Sequence, residues 1–307
     1  MAAASTLAAS ALAGCHTAGQ HPPHAHGIID THTHFYDPTR PQGVPWPSRD
    51  DSFLYRPVLP AEYFALARPL GVTGTVVVEA SAWEEDNQWI LDLAARERGI
   101  VGLVGNLKPG KPGFTEQLQR FTANRLFLGI RTGLADFPSE AERSAFVRDL
   151  KQLADRDLVL DLLVGPDALP RIQQLAQDLP SLRIVINHVA NVRIDGQAPP
   201  RSWIQGMRAC ARHPKVFCKV SALVEGTGRN QGDAPSDLEF YRPTLDVVWE
   251  SFGEDRLVYG SNWPVSARFA PYERVQRLVT NYFEGKGAAA TAKYFHRNAK
   301  TIYRYVG

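Results

Sequence analysis

His32 and His34 stand one residue apart in "IIDTHTHFYD", residues 28 to 37, at the end of an apolar run. Side chains two apart on an extended strand share a face, so the two imidazoles can converge. A third, His188, lies in the run "RIVINHV", residues 183 to 189. Three histidines around one point support two chemistries. They can hold one divalent metal, zinc for instance, with an open position where water is activated. Without metal, they can polarise a carbonyl and stabilise the oxyanion that forms when water attacks it. The remaining histidines are weaker candidates: His16, His21, His24 and His26 lie in an N-terminal tail, and His213 and His296 fall at predicted helix ends.

Other polar residues end apolar runs in the same way: Glu79, Arg131, Lys219, Ser261 and Asn262. Buried without partners, such groups cost several kcal/mol each, so a shared polar site accounts for them. Arg131 reads equally as a satisfied structural cation and as a clamp for a carboxylate or lactone oxygen. Lys219 alternates with Cys218 and can face the interior or the outer helices. Glu79 and Asp161 read first as ion-pair partners. Asp30 is expected on the face of His32 and His34, two residues deeper, in a supporting role. The segment "LVEGTGRNQGDAPSDLEFYRP", residues 223 to 243, is long for a connection. It is expected to cover a substrate through Glu225, Arg229 and Tyr241, a solvated surface loop being the competing reading.

The elements that must position these residues are eight short runs rich in Val, Ile and Leu. They span residues 27–35, 74–80, 100–107, 126–132, 158–164, 183–189, 216–222 and 256–262. Amphipathic stretches lie between them, such as "EEDNQWILDLAARERG" and "SEAERSAFVRDLKQLADRD", the latter opening on a Ser-x-x-Glu capping pattern. This alternation predicts an α/β fold, a (β/α)8 TIM barrel, which a chain of 307 residues accommodates. The alternative, an open doubly wound sheet, would place a glycine-rich phosphate loop after its first strand if it bound a nucleotide, and none is present. In a barrel the C-terminal strand ends converge, and there the polar residues stand.

A formal net charge of +2 with 21% charged residues gives no reason to expect nucleic acid or an anionic membrane surface as partner; a small-molecule substrate is expected. Residues 1–26 differ from the barrel region, 27–307. "MAAASTLAASALAGC" is small and apolar, and "HTAGQHPPHAH" is a polar linker. Leu12-Ala13-Gly14-Cys15 resembles a lipobox, yet no basic residue precedes Cys15 as a signal peptide requires. The favoured reading is that a basic portion lies upstream. The protein is then exported, periplasmic or lipid-anchored at Cys15, its one expected membrane contact; otherwise it is cytoplasmic. Cys210 and Cys218 show no CxxC spacing, so a disulfide framework is not expected.

Taken together, "IIDTHTHFYDPTRP" followed by "PWP", "DNQWILDLA", "GIR", "INHVANV", "FCKVSAL", "YRPTLDVVWESFGEDRLVYGSNWPV" and "RNAKTIYRY" resemble the amidohydrolase superfamily. Within it they are similar to the lactonase branch, which includes 2-pyrone-4,6-dicarboxylate, L-fucono- and L-rhamnono-lactonases. The resemblance implies a (β/α)8 barrel and hydrolysis of a cyclic ester. Where the branch usually reads Gly-Ser-Asp-Trp-Pro, this chain has Asn262, whose amide can orient water but cannot take its proton. His34, His188 and Glu79 are then the candidate bases. A two-metal centre of this superfamily uses a carboxylated lysine on strand four and a histidine on strand five, positions where Arg131 and Asp161 stand. A binuclear centre is therefore not expected, and one zinc on His32, His34 and His188, or no metal, remain open.

The leading expectation is a hydrolase that opens a lactone of a sugar acid or related carboxylated ring. His32, His34 and His188 polarise the carbonyl, Asn262 positions water, and Arg131, Lys219, Glu79 and Tyr241 contact the substrate. The alternatives are a zinc-dependent decarboxylase of the same superfamily and a non-catalytic sugar-acid binding protein.

Overall fold

The computed structural model describes residues 27–139 and 142–306. The expectations for the tail and for Cys15 lie outside the described residues. Eight strands follow one another in chain order: β1 (Ile28–Thr33), β2 (Val72–Val78), β3 (Ile100–Gly105), β4 (Phe127–Gly133), β5 (Val159–Leu163), β6 (Arg183–Ile186), β7 (Val216–Val220) and β8 (Leu257–Tyr259). Each pairs in parallel with the next. The segment after β8 closes onto β1: the Asn262 amide donates to the His32 carbonyl at 2.8 Å, and the His34 amide to the Trp263 carbonyl at 2.9 Å. The sheet is thus a barrel, as the alternation predicts.

The surrounding helices are α1 (Pro60–Ala67), α2 (Asp86–Ala94), α3 (Phe114–Thr122), α4 (Arg143–Asp155), α5 (Leu169–Asp178), α6 (Arg201–Ala211), α7 (Leu238–Phe252) and α8 (Tyr272–Glu284), followed by the short α9 (Ala288–Ala292) and α10 (Asn298–Tyr303). Strands buried on both faces carry continuous apolar sequence, and the structure sorts it into two layers. Ile29, Val76, Val104, Val159, Val185 and Val258 fill the barrel, with Ile302 and Tyr303 of α10 joining them as a floor. Val77, Leu103, Ile130, Leu160 and Ile184 pack outward with the helices. No helix among the described residues is long and apolar enough to cross a membrane.

Three local expectations change. The β1–β2 register shifts between Asp30 and Thr33, which breaks strict alternation. Asp30 consequently reaches Tyr63 of α1 at 2.9 Å and Tyr272 of α8 at 3.2 Å, whereas His32 lies beside Lys219 in the interior. The Ser139 hydroxyl donates to the Glu142 carboxylate at 3.0 Å, and α4 begins at Arg143 without a side-chain cap. Finally, residues 238–243 are helical. Asp237 caps α7 by accepting from the Glu239 amide at 3.0 Å, and Pro243 is carried inside the helix, although proline usually marks an end. The rest of the 223–243 segment is tied down, with Gly232 and Ala234 donating to the carbonyls of Arg268 and Phe269.

Candidate active site

Every strand-end residue singled out above sits at the C-terminal mouth or just inside it. His32 is in β1 and His34 one residue beyond; Glu79 follows β2; Arg131 is in β4; Lys219 is in β7; and Asn262 lies shortly after β8. His188 occupies the turn after β6, where His188, Val189, Ala190 and Asn191 all have φ between 47° and 57°. Left-handed backbone costs a non-glycine residue about 1–2 kcal/mol, so four in succession store strain where His188 is placed. Two bonds hold the turn: Trp203 Nε1 donates to the Val189 carbonyl and Asn191 Nδ2 to the Val164 carbonyl, both at 2.9 Å. Asn262 is left-handed as well, with φ 59°.

The imidazoles of His32 and His188 lie 4.4 Å apart between centroids, and those of His32 and His34 5.0 Å apart. Burial and the nearby cations Lys219 and Arg131 push the imidazoles of His32 and His188 well below the ordinary histidine range. Burial and Arg131 bring His34 down to about 3. All three are therefore neutral near pH 7, each with one ring proton whose position its neighbours determine.

Lys219 determines it for His32. Its ammonium, entirely inaccessible to solvent, has three N–H groups and three acceptors: the Asp161 carboxylate at 2.7 Å, the Thr31 carbonyl at 2.8 Å and His32 Nδ1 at 3.3 Å. Nδ1 must accept, so the His32 proton resides on Nε2, a buried atom without a protein partner. Lys219, expected to contact substrate, has no donor left for one, and it orients His32 instead. Asp161 meets the ion-pair expectation and also accepts from Tyr303 at 3.1 Å.

His34 is held differently. Its Nδ1 lies 2.7 Å from the Val78 carbonyl, which can only accept, so Nδ1 carries the proton and Nε2 faces the Asn262 amide at 3.2 Å. His188 Nδ1 lies 2.7 Å from the Ser221 hydroxyl. Ser221, two residues beyond Lys219 on the same strand run, escaped notice in the sequence, although period-two spacing from Lys219 points to it.

Arg131 donates to the Glu79 carbonyl and keeps part of its surface accessible, with its charge felt by all three imidazoles. The Glu79 carboxylate accepts from the Ser81 amide, its Oε2 is buried without a partner, and burial lifts it to about 7. Glu225 enters from the turn after β7: the Asn262 side-chain amide lies 2.8 Å from its Oε1. Its Oε2 is shielded and unpartnered, and burial brings this carboxyl to about 7 too. Tyr241 and Arg229 do not join the group. The Tyr241 hydroxyl donates to the Pro235 carbonyl at 2.8 Å, and Arg229 stacks over Phe240. Gly260 is required by the crowding: a Cβ there would lie 2.8 Å from His32 Cβ and 3.1 Å from Lys219 Cδ.

Among the described residues, no group of three or more His, Cys, Asp or Glu is arranged to hold a metal ion. The chemistry of the donors explains this for the histidine trio. His34, with Nδ1 donating to a carbonyl, has the arrangement of a metal ligand. His32 does not, since the Lys219 ammonium on Nδ1 keeps a proton on the nitrogen that would ligate. The trio as arranged does not fit a cation; it fits a polarised oxygen.

The amidohydrolase family profile matches residues 29–305. Two curated relatives are named L-fucono-1,5-lactonase. The one from Burkholderia ambifaria is 31% identical over 78% of this chain and 80% of its own. The one from Burkholderia multivorans is 30% identical over 85% and 90%. A Burkholderia multivorans amidohydrolase solved with bound zinc superposes with a TM-score of 0.80 at 27% identity, covering 91% of this chain and 99% of that one. Because the family match runs from β1 to the residues just past α10, the chain belongs to the amidohydrolase family.

Proposed function

We propose that the protein hydrolyses a lactone of a sugar acid or related carboxylated ring, by attack of water on the ester carbonyl. The observation that carries this reading is His32 Nε2–H, a donor fixed by Lys219, buried, unpartnered and beside two further imidazoles. Such a donor is oriented before substrate arrives and strengthens its bond as the carbonyl oxygen gains charge. Arg131, partly accessible, supplies the charge that holds a carboxylate or ring oxygen of the substrate. Asn262 offers its amide to the attacking water, His188 lies against His32, and Glu79 supports Arg131. Lys219 acts through His32, and Tyr241 acts by holding the loop that carries Glu225. The two L-fucono-1,5-lactonase relatives support the same class of substrate.

The test is acid release from a panel of sugar and pyrone lactones by purified protein, with chelator and with added zinc. Turnover of at least one lactone in chelator supports the reading. No turnover under either condition, or release of carbon dioxide in place of ring opening, contradicts it.

We propose also that residues 1–26 direct export and that Cys15 carries lipid. Leu12-Ala13-Gly14-Cys15 followed by a polar linker supports this. Mass spectrometry of the mature N-terminus tests it: acylated Cys15 is expected, and an unprocessed cytoplasmic chain contradicts it.

A further inference from the structure

We propose that Glu225 is the general base and acid of this site, taking the proton from the attacking water and returning it to the ring oxygen that leaves. The proposal rests on the lactonase reading above. Its ground is the contact chain His34–Asn262–Glu225, built from the ends of β1 and β8 and the turn after β7.

Proton accounting along the chain leaves few choices. His34 Nδ1 donates to the Val78 carbonyl, so a neutral His34 presents a lone pair at Nε2. Asn262 must then offer its NH2 to His34 and its oxygen to Glu225, and an oxygen facing Glu225 requires Glu225 to donate. The reverse orientation, NH2 towards Glu225, requires a doubly protonated His34. The two arrangements hold the same number of protons, and burial favours the one with neutral groups. His34 drawn down to about 3 and Glu225 raised to about 7 both agree with it. Glu225 is therefore a carboxyl that gains and loses its proton near neutral pH.

The groups around Glu225 leave this behaviour to burial. Asn262 bonds it from the end of β8, with His34 one amide beyond. From α7, Tyr241 has its phenol pushed up first by burial and then by Glu225. Arg229 and Arg274 draw Tyr241 down, and neither is paired with Glu225. The turn itself is anchored, with the Ile194 amide donating to the Gly226 carbonyl at 2.9 Å. Glu225 Oε2, shielded and unpartnered, is the atom free to meet water.

The step balances. A water oxygen bonds to the carbonyl carbon as its proton passes to Glu225 Oε2, and the carbonyl oxygen becomes an oxyanion at His32 Nε2–H. The oxyanion then collapses, the ring C–O bond breaks, and the ring oxygen takes the proton back from Glu225. The product is the open hydroxy acid.

The experiment compares wild type, Glu225→Gln, Glu79→Gln and the double variant Glu225→Gln/Asn262→Asp. Steady-state kinetics are measured across pH, together with infrared spectra of protonated carboxyl groups. In wild type, kcat/KM rises with pH and levels off above about 7. Glu225→Gln lowers kcat at least about 100-fold and removes the limb, Glu79→Gln retains the limb, and the double variant regains rate through its carboxylate beside His34. The infrared difference between wild type and Glu225→Gln shows a carboxyl band that fades through about pH 7, a readout independent of turnover. Glu225→Gln within about threefold of wild type with its limb intact, or a limb lost in Glu79→Gln instead, overturns the proposal while leaving lactone hydrolysis standing. Wild type inactive on every lactone refutes the lactonase reading and with it the catalytic step; the band then reports the shared proton alone. A missing band overturns the proton accounting.

Discussion

Replacing Lys219 with Met tests the claim that this lysine acts by fixing His32. The Lys219–Asp161 pair is wholly buried at 2.7 Å, and removing one partner of such a pair costs about 3–5 kcal/mol, because the other charge is left in a medium that cannot solvate it. The Thr31 carbonyl and His32 Nδ1 also lose a donor. Tyr303 still donates to Asp161 and keeps the loss towards the lower end. For a barrel of this size, the corresponding fall in Tm is about 6–10 °C. The assay is urea unfolding of wild type, Lys219→Met, Asp161→Asn and the double variant, with lactone turnover measured on each. The double variant is expected to be more stable than the sum of the single losses implies, by at least about 2 kcal/mol. It should still lack activity, since His32 is free to take the other tautomer. Additive stabilities, or wild-type turnover without Lys219, would refute the reasoning.

Glu79→Gln is expected to stabilise the protein above neutral pH. A carboxyl whose folded value is raised from 4.5 to about 7 contributes stability in full below about pH 4.5 and loses it as pH rises towards 7, a span worth about 3 kcal/mol at most. Unfolding at pH about 8 should show most of that gain and unfolding at pH about 4 almost none. Gly260→Ala brings a methyl against His32 and Lys219, and the overpacking costs about 1–3 kcal/mol; unfolding and turnover measured together should both decline. Trp203→Phe removes one of the two bonds that hold the left-handed turn, at a cost of about 1–2 kcal/mol. It is expected to lower kcat more than it changes the pH profile, as judged by parallel pH–rate curves.

The barrel was legible because parallel strands buried on both faces are written as unbroken apolar runs, and all eight runs proved to be strands. The polar residues at their ends were legible for the converse reason: Lys219 and Asn262 stand out where the pattern calls for Val or Ile. The sequence does not carry the direction of each side chain. The register shift in β1 sends Asp30 towards the helices against a period-two reading. The turn that presents His188 holds four left-handed residues and no glycine to announce it. Glu225 lies in a loop without periodicity, and only the closure of β8 onto β1 brings Asn262 to it. Tyr241 falls in the long segment expected as loop, whereas the Asp237 cap starts α7 before it.

The central claim, water attack on a lactone carbonyl, is tested most directly by turnover in oxygen-18 water with mass analysis of the product. One label in the new carboxylate and none in the released hydroxyl is the predicted result. Label in the hydroxyl, loss of carbon dioxide, or no ring opening by the active-site-intact protein would contradict it.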